Sequence, residues 1–227
     1  MDSQLDAFIR AFFNADVAVR YMPDIIKGFW VTTQLGFATI VAGLVLGLGL
    51  AVLRARRNIW LSGIVVAFAD VFRALPPLVI IIIFYFAFPY VGVSMSSFLS
   101  TWLALTLVLA AFAEESYWSG IQSLPKGQAE AARSTGLSWF QTMRYVILPQ
   151  AIRMALAPLT NRALAITKNT ALGSVVALSE ILNSAQAATS NAGNPTPLTM
   201  GAIAYLVLFG PVVLLARWLE RSWQWRR

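Results

Sequence analysis

Few side chains in this sequence can do chemistry, and their types narrow what that chemistry is. The 227 residues include no cysteine and no histidine, which excludes thiol and imidazole catalysis, disulfides, c-type haem attachment and zinc sites. No G-x-x-x-x-G-K-[ST] loop occurs, so the chain has no phosphate cradle of that kind. What remains is a sparse set of polar groups inside apolar runs: Arg73 beside Pro76, the adjacent acids Glu114 and Glu115, Asn161, and Lys168 with Thr170. Ionisable groups in a bilayer are costly and therefore pair with one another, meet water or line a path for a polar solute. Both readings stand for Glu115: an ion pair with Arg73 or Lys168, or a place on a substrate path. Arg73 can equally cap carbonyls freed near Pro76, pair with Asp70, or face the path. Lys168-Asn169-Thr170 offers donors to such a path.

The elements that must hold these groups are membrane helices. The chain is 58% hydrophobic and 12% charged, too apolar for a soluble domain. A span needs about 20 apolar residues, and residues 28–53, 97–118 and 199–219 provide three. The stretch 59–92 would make a helix about 50 Å long and must break at Arg73-Ala-Leu-Pro76-Pro77, where proline removes a donor and pushes the preceding residue out of helical space. This predicts an interfacial or half-inserted helix at 59–73 and a span at 76–90. Residues 151–186 are more polar and fit one span plus a short helical re-entry. The sum is an all-α membrane protein with about five transmembrane helices.

Basic residues set its orientation. Arg54, Arg56 and Arg57, then Lys126, Arg133, Arg144 and Arg153, then the tail arginines all fall on one side if the N-terminus lies outside, and the loops at 89–97 and 184–198 contain no lysine or arginine. The net charge of +7 thus reads as topology beside anionic headgroups, with no nucleic acid implied. Residues 1–24 form an amphipathic external arm in which Leu5, Phe8, Ile9, Phe12 and Phe13 share one helical face, suited to membrane lipid or a partner. Residues 25–222 are the membrane domain. Residues 223–227 are a cytoplasmic tail, and Trp218, Trp223 and Trp225 form an interfacial belt.

The segment 122–150 is too polar to insert. Pro125 suits a helix start and Gly136 a left-handed C-terminal cap, which predicts a short helix slimmed by Ala129, Ala131 and Ala132. Ser138 with Gln141 predicts a capping box opening a second helix, which Pro149 ends. Such a slim helix can enter a groove on another protein or pack on its own spans.

Here the sequence resembles a known family. Glu130-Ala131-Ala132, three residues, Gly136, nine residues and then Val146-Ile-Leu-Pro149 is similar to the signature of ABC transporter permeases. Arg73-Ala-Leu-Pro76 resembles the Arg-Gly-Thr-Pro of the polar amino acid import permeases, AFAEESYWSGIQSLPKGQ resembles their third-span block, and Pro158, Asn161, Lys168 and Thr170 continue the register. The resemblance covers roughly residues 25–220. It implies the type I importer permease fold in a bacterial inner membrane, with the N-terminus periplasmic. It also implies two ATP-binding cassette subunits that bind ATP and Mg, a second permease copy or a sister permease, and a periplasmic solute-binding protein that delivers an amino acid. The permease itself would do no chemistry and need no cofactor. Residues 127–136, including Gly127, would be the coupling helix that follows ATPase closure. The contrasting reading, a secondary transporter or channel, expects repeated halves or a pore helix, and neither is visible.

The family pattern has one acid, matching Glu115, and has Arg where Trp118 stands and Ser where Ala171 stands. Glu114, about 100° round the helix, is expected at the cytoplasmic interface or against the partner permease. Glu180, near the outer end of the fourth span, is expected to meet a receptor or solvent. The small residues Ser100, Thr101, Ala104, Thr106, Ala110, Ala111 and Ala113 predict that the third span lies near the permease–permease interface. For topology, a reporter fused after Arg227 is expected to be cytoplasmic and one near Asn194 periplasmic; the reverse signals would overturn the five-span arrangement.

Overall fold

A computed structural model describes residues 2–56 and 58–224, with side chains placed at 4–56 and 58–218. The tail 223–227 and the belt at Trp223 and Trp225 lie outside those side chains. Every regular element among the described residues is helical. Helix α1 (Asp2–Phe12) turns at Phe13-Asn14 into α2 (Ala15–Arg54), where the Asn14 side chain caps Val17. From Ala15 on, the arm and the span share one helix, which continues through Pro23. The turn is pinned to the far end of the chain. The Asn14 N–H donates to Thr196 Oγ1 at 3.0 Å, Thr196 Oγ1 donates to the Ala11 carbonyl, and Asn194 Nδ2 to the Arg10 carbonyl.

Helix α3 (Ile59–Ala74) ends where predicted. Leu75 and Pro76 are extended, and α4 (Pro77–Ile82) leaves at a bend of 100° before passing through a π-turn (Ile83–Ala87) and a 3-10 turn (Phe88–Val91). Among the described residues three helical stretches are long and apolar enough to cross a membrane, 4–54, Ser97–Gln122 and Thr196–Trp218, and the bent pair, taken as one span, makes a fourth. Helix α8 (Leu148–Lys168), with Arg153, Arg162 and Lys168, is not among them.

Helix α5 (Ser97–Gln122) is the centre of the chain. The expectation that it faces a second permease is overturned: Ala104, Ala110, Ala111 and Ala113 are fully buried within this one chain. Their small size is spent on α2. A Cβ added at Gly47 would sit 2.6 Å from the Ala113 Cβ and 2.8 Å from the Ala110 carbonyl oxygen, and one at Gly43 would sit 2.8 Å from Leu109. On the other side Gly120 lets α8 approach, its added Cβ falling 2.6 Å from the Ala151 carbonyl oxygen. Many large apolar side chains are exposed on other helices, among them Phe37 and Val45 on α2, Ile59, Trp60 and Ile64 on α3, and Ile203, Leu206, Val207, Leu214 and Leu215 on α10 (Thr196–Gln224).

Helix α6 (Lys126–Ser134) and α7 (Trp139–Thr142) form the polar segment. Pro149 does not end the second helix, as the sequence suggested. A π-turn (Met143–Ile147) follows α7 and runs directly into α8, which places Pro149 in the first turn of α8, where a missing N–H leaves no bond unmade. The Gln150 amide donates to the Val146 carbonyl at 2.7 Å within this turn. After α8 comes a 3-10 stretch (Asn169–Val176), a left-handed Ala177, and a short helix α9 (Ile181–Ala192).

The α2–α5 seam yields a test. Gly47→Val forces the two backbones apart and is expected to lower stability by about 1–3 kcal/mol, whereas Gly49→Ala on the same helix meets nothing within 4 Å and is expected to be tolerated. Equal melting temperatures for the two purified variants would refute the seam.

Candidate functional site

Helix α6 is built to be slim on one side. Ala132 is buried against the bundle, while Gly127, Ala131 and Ser134 are exposed. At about 100° per residue these three share one narrow stripe of small side chains. Glu130 is exposed beside that stripe. The helix closes through Gly136 at φ +88, whose N–H donates to the Arg133 carbonyl at 3.0 Å. A Cβ there would meet nothing within 4 Å, so the left-handed backbone alone asks for glycine. The next helix opens with the predicted capping box: the Ser138 N–H donates to Gln141 Oε1 at 2.8 Å, and the Gln141 N–H donates to Ser138 Oγ at 3.3 Å.

Arg54, Asp70, Arg73, Glu114 and Glu115 form one chain of charges across three helices. Arg73, in the last turn of α3, donates to Glu115 Oε2 at 3.0 Å, to Asp70 Oδ1 at 2.6 Å and, through Nε, to the Ala69 carbonyl. Its pairings with Asp70 and with Glu115 thus hold together, whereas the carbonyl it reaches, Ala69, lies inside α3 and is not one that Pro76 frees. Arg54, in the last turn of α2, donates to both oxygens of Glu114 at 3.1 and 3.3 Å and lies 3.9 Å from Glu115. Its guanidinium also covers the Trp118 ring at 4.6 Å. Glu114 is fully buried, which corrects its expected place at an interface: next to Ala113 on the seam side of α5, it can face only α2. A carboxylate deprived of water needs a fixed cation, and Arg54 is that cation. The sequence reading used Arg54 only as a topology marker, although its position one residue beyond an apolar run was the available signal.

The remaining candidates divide between two openings. Arg73 and Pro76 line a cavity of about 330 Å³ together with Phe112, Arg162 and Asn169. The Arg162 guanidinium lies over the Phe112 ring at 4.3 Å. Lys168 lines a separate cleft of about 870 Å³ beside Ala171, Tyr205 and Phe209, so it does not meet Glu115. Asn161 is exposed on α8. Thr170 is fully buried and donates to the Thr167 carbonyl at 2.8 Å. Asn169 was expected on a path from its place beside Lys168, whereas Arg162 was missed because it stands in no motif position that marks one.

Glu180 meets neither receptor nor solvent. It is fully buried and caps α9, accepting from the Leu182 and Asn183 N–H groups at 2.9 and 2.7 Å and from the Tyr205 hydroxyl of α10. A single acid before Ile-Leu-Asn reads equally as surface charge or as an N-cap, and only packing decides between them.

The Arg54–Glu114 pair makes a quantitative expectation. Arg54→Gln leaves a buried carboxylate unpaired and should cost about 3–5 kcal/mol, whereas removing both charges should be far less harmful. Melting of the purified protein should therefore fall sharply in Arg54→Gln and recover for the most part in Arg54→Gln/Glu114→Gln. A single variant that melts like the parent would refute the pairing.

Comparison with known proteins places this architecture. Residues 40–225 match the family model described as "Binding-protein-dependent transport system inner membrane component". The chain is 38% identical over 174 residues to a probable amino-acid ABC transporter permease, YckA of Bacillus subtilis (strain 168), covering 77% of each chain. It is 33% identical over 197 residues to a probable glutamine ABC transporter permease, GlnP of the same organism, covering 85% of this chain and 90% of that one. Among solved structures, "Crystal structure of an amino acid ABC transporter with histidines" superposes with a TM-score of 0.79 at 29% identity, covering 90% of this chain and 96% of that one. An inward-facing MetNI methionine ABC transporter shares the fold at a TM-score of 0.74 and 22% identity, covering 89% and 97%. With most of its length matched by the family model, this chain belongs to the family of binding-protein-dependent transport system inner membrane components.

Proposed function

We propose that the chain is the permease subunit of an ATP-driven importer for a polar amino acid or amino acid derivative. The observation that carries this reading is the α6 corner, a stripe of Gly127, Ala131 and Ser134 presented outward and held by the left-handed Gly136. A stripe without bulk lets another protein's backbone approach closely, as a groove on an ATPase subunit requires. The names of the relatives support the substrate class. In this reading the chain crosses the inner membrane five times, counting α8, with the N-terminus periplasmic. Two permeases, identical or paired with a sister, sit on two ATPase subunits that bind ATP and Mg, and a periplasmic binding protein delivers the solute.

The task of such a permease is to alternate between two shapes, with energy supplied by differential contacts in each. Residues 127–136, with Glu130, Ala131 and Ala132, take up ATPase movement. Pro149 begins α8, so that movement passes into a membrane helix without a loop between. The cavity at Arg73, Pro76, Arg162 and Asn169 offers cationic and amide donors to a carboxylate, and Glu115 lies on the other side of Arg73. Asn161, Lys168 and Thr170, on α8 and just beyond it, are proposed for the path as well, with Lys168 reached through the separate cleft beside Tyr205.

Gly136→Val places a β-branched residue at positive φ, which costs about 1 kcal/mol or more. It is expected to leave the membrane fold intact while separating ATP hydrolysis from uptake in reconstituted vesicles. Uptake at the parental rate would sink the coupling assignment.

A further inference from the structure

Behind the coupling corner, on the side of α6 opposite its slim stripe, lies a cavity of about 560 Å³ that the transport reading does not use. Its walls come from the end of α2, the inner end of α5, α6 and α7, and it carries three cations: Arg56, Lys126 and Arg133. Each belongs to a different part of the wall or a different turn, so their convergence is a product of the fold. None of the three lies within 4.0 Å of an acid among the described residues. Glu130 is the one acid named in the lining, which leaves an excess of two positive charges (three cations less one acid). Two indoles complete the site. The Arg56 guanidinium lies 5.5 Å from the centre of the Trp139 ring, within cation–π reach, and a guanidinium can make a forked contact to an anion. Trp118 closes the side toward the bundle, and the buried Met143 and Ile147 give the cavity an apolar back wall.

We infer that this cavity is a binding site for the phosphate of an anionic headgroup. Planar guanidinium and ammonium donors around an excess positive charge select a phosphate oxyanion over a neutral solute, and tryptophans at helix ends mark the level of the headgroups. Basic pockets between helices on the cytoplasmic side take anionic lipid headgroups in this manner. The volume exceeds what a water or two would fill and accommodates a phosphodiester with its glycerol. The same chemistry would accept a soluble phosphate ester, and the lipid is the expected source because the apolar wall of Met143 and Ile147 continues from the headgroup level into the bundle. A headgroup there would bridge the α2 end to α6, tying the coupling corner to the membrane surface. The inference takes only the cytoplasmic placement of these loops from the proposed function.

The test uses the permease purified with its ATPase partners and exchanged into nanodiscs of phosphatidylcholine with or without phosphatidylglycerol. Native mass spectrometry then counts the lipid retained on release, and equilibrium dialysis measures binding of glycerol phosphate and of inorganic phosphate. Retention of phosphatidylglycerol over phosphatidylcholine is expected, falling about fivefold for each cation removed in Arg56→Gln and Arg133→Gln. Arg56→Lys should recover part of it, and Arg20→Gln, a loss of equal charge on the other side of the membrane, should leave it unchanged. Binding of glycerol phosphate that is lost in the same variants supports the site with a soluble source instead. Retention that is indifferent to Arg56 and Arg133, or that appears only when the ATPase subunits are stripped away, overturns the inference; the latter would assign the cavity to the ATPase. Because the readout is headgroup retention, a failure here leaves uptake intact, whereas failure of the transport reading abolishes uptake and leaves retention.

Discussion

The backbones of α2 and α5 approach so closely at Gly43 and Gly47 that no side chain fits between them, and much of the molecule follows from that approach. In a bilayer, apolar side chains gain little by leaving lipid for protein, so helices associate through close packing and polar contacts. The seam provides the first of these and creates the need for the second. A Cβ on Gly47 would lie 3.0 Å from the backbone nitrogen of Glu114, so the next acid along α5 is sealed against α2 with no route to water. The helix that seals it also carries Arg54 two turns further on. Glycine seam and buried ion pair are thus one device: the first sets the distance and the second uses it. Arg54 then reaches towards Glu115, Glu115 holds Arg73, and Arg73 anchors the end of α3 just before the break at Leu75-Pro76.

The α6–α7 corner is built on a different principle, local hydrogen bonding. Here the chain is polar and near water, so the helices are defined by their ends: a left-handed glycine closing one and a reciprocal Ser–Gln cap opening the next. These are strong signals because each involves a backbone group that has no other partner. They were legible in the sequence, as were the proline break at residues 75–77 and the overall helical membrane class.

What escaped the sequence was partner choice. A helix repeat says that Glu114 and Glu115 face different directions, but not that the direction of Glu114 is inward; the glycine spacing on α2 held that information, and it refers to residues some sixty positions away. The small residues of α5 were read as an interface between subunits because close packing looks the same whether the neighbour is the same chain or another. Pro149 was read as a stop because a repeat of 3.6 residues has no place for it, whereas a π-turn inserts the extra residue that makes room. Lys168 and Arg162 lie on the same helix but open towards different cavities, a division that depends on where α10 and the α3–α4 break happen to pack.

The pinning of Asn14 by Thr196 has a consequence for how the molecule is made. The two residues are separated by 182 positions, and at ribosomal rates of about 5–20 residues per second that separation amounts to roughly 10–40 s of synthesis. Throughout this interval the first helix is complete and in contact with the machinery of insertion, yet the carbonyls of Arg10 and Ala11 and the N–H of Asn14 have no protein partner. The corner where the chain begins is finished only when its last helix arrives, so premature termination anywhere before Thr196 leaves an N-terminus that never acquires its lock, however well the intervening helices have packed.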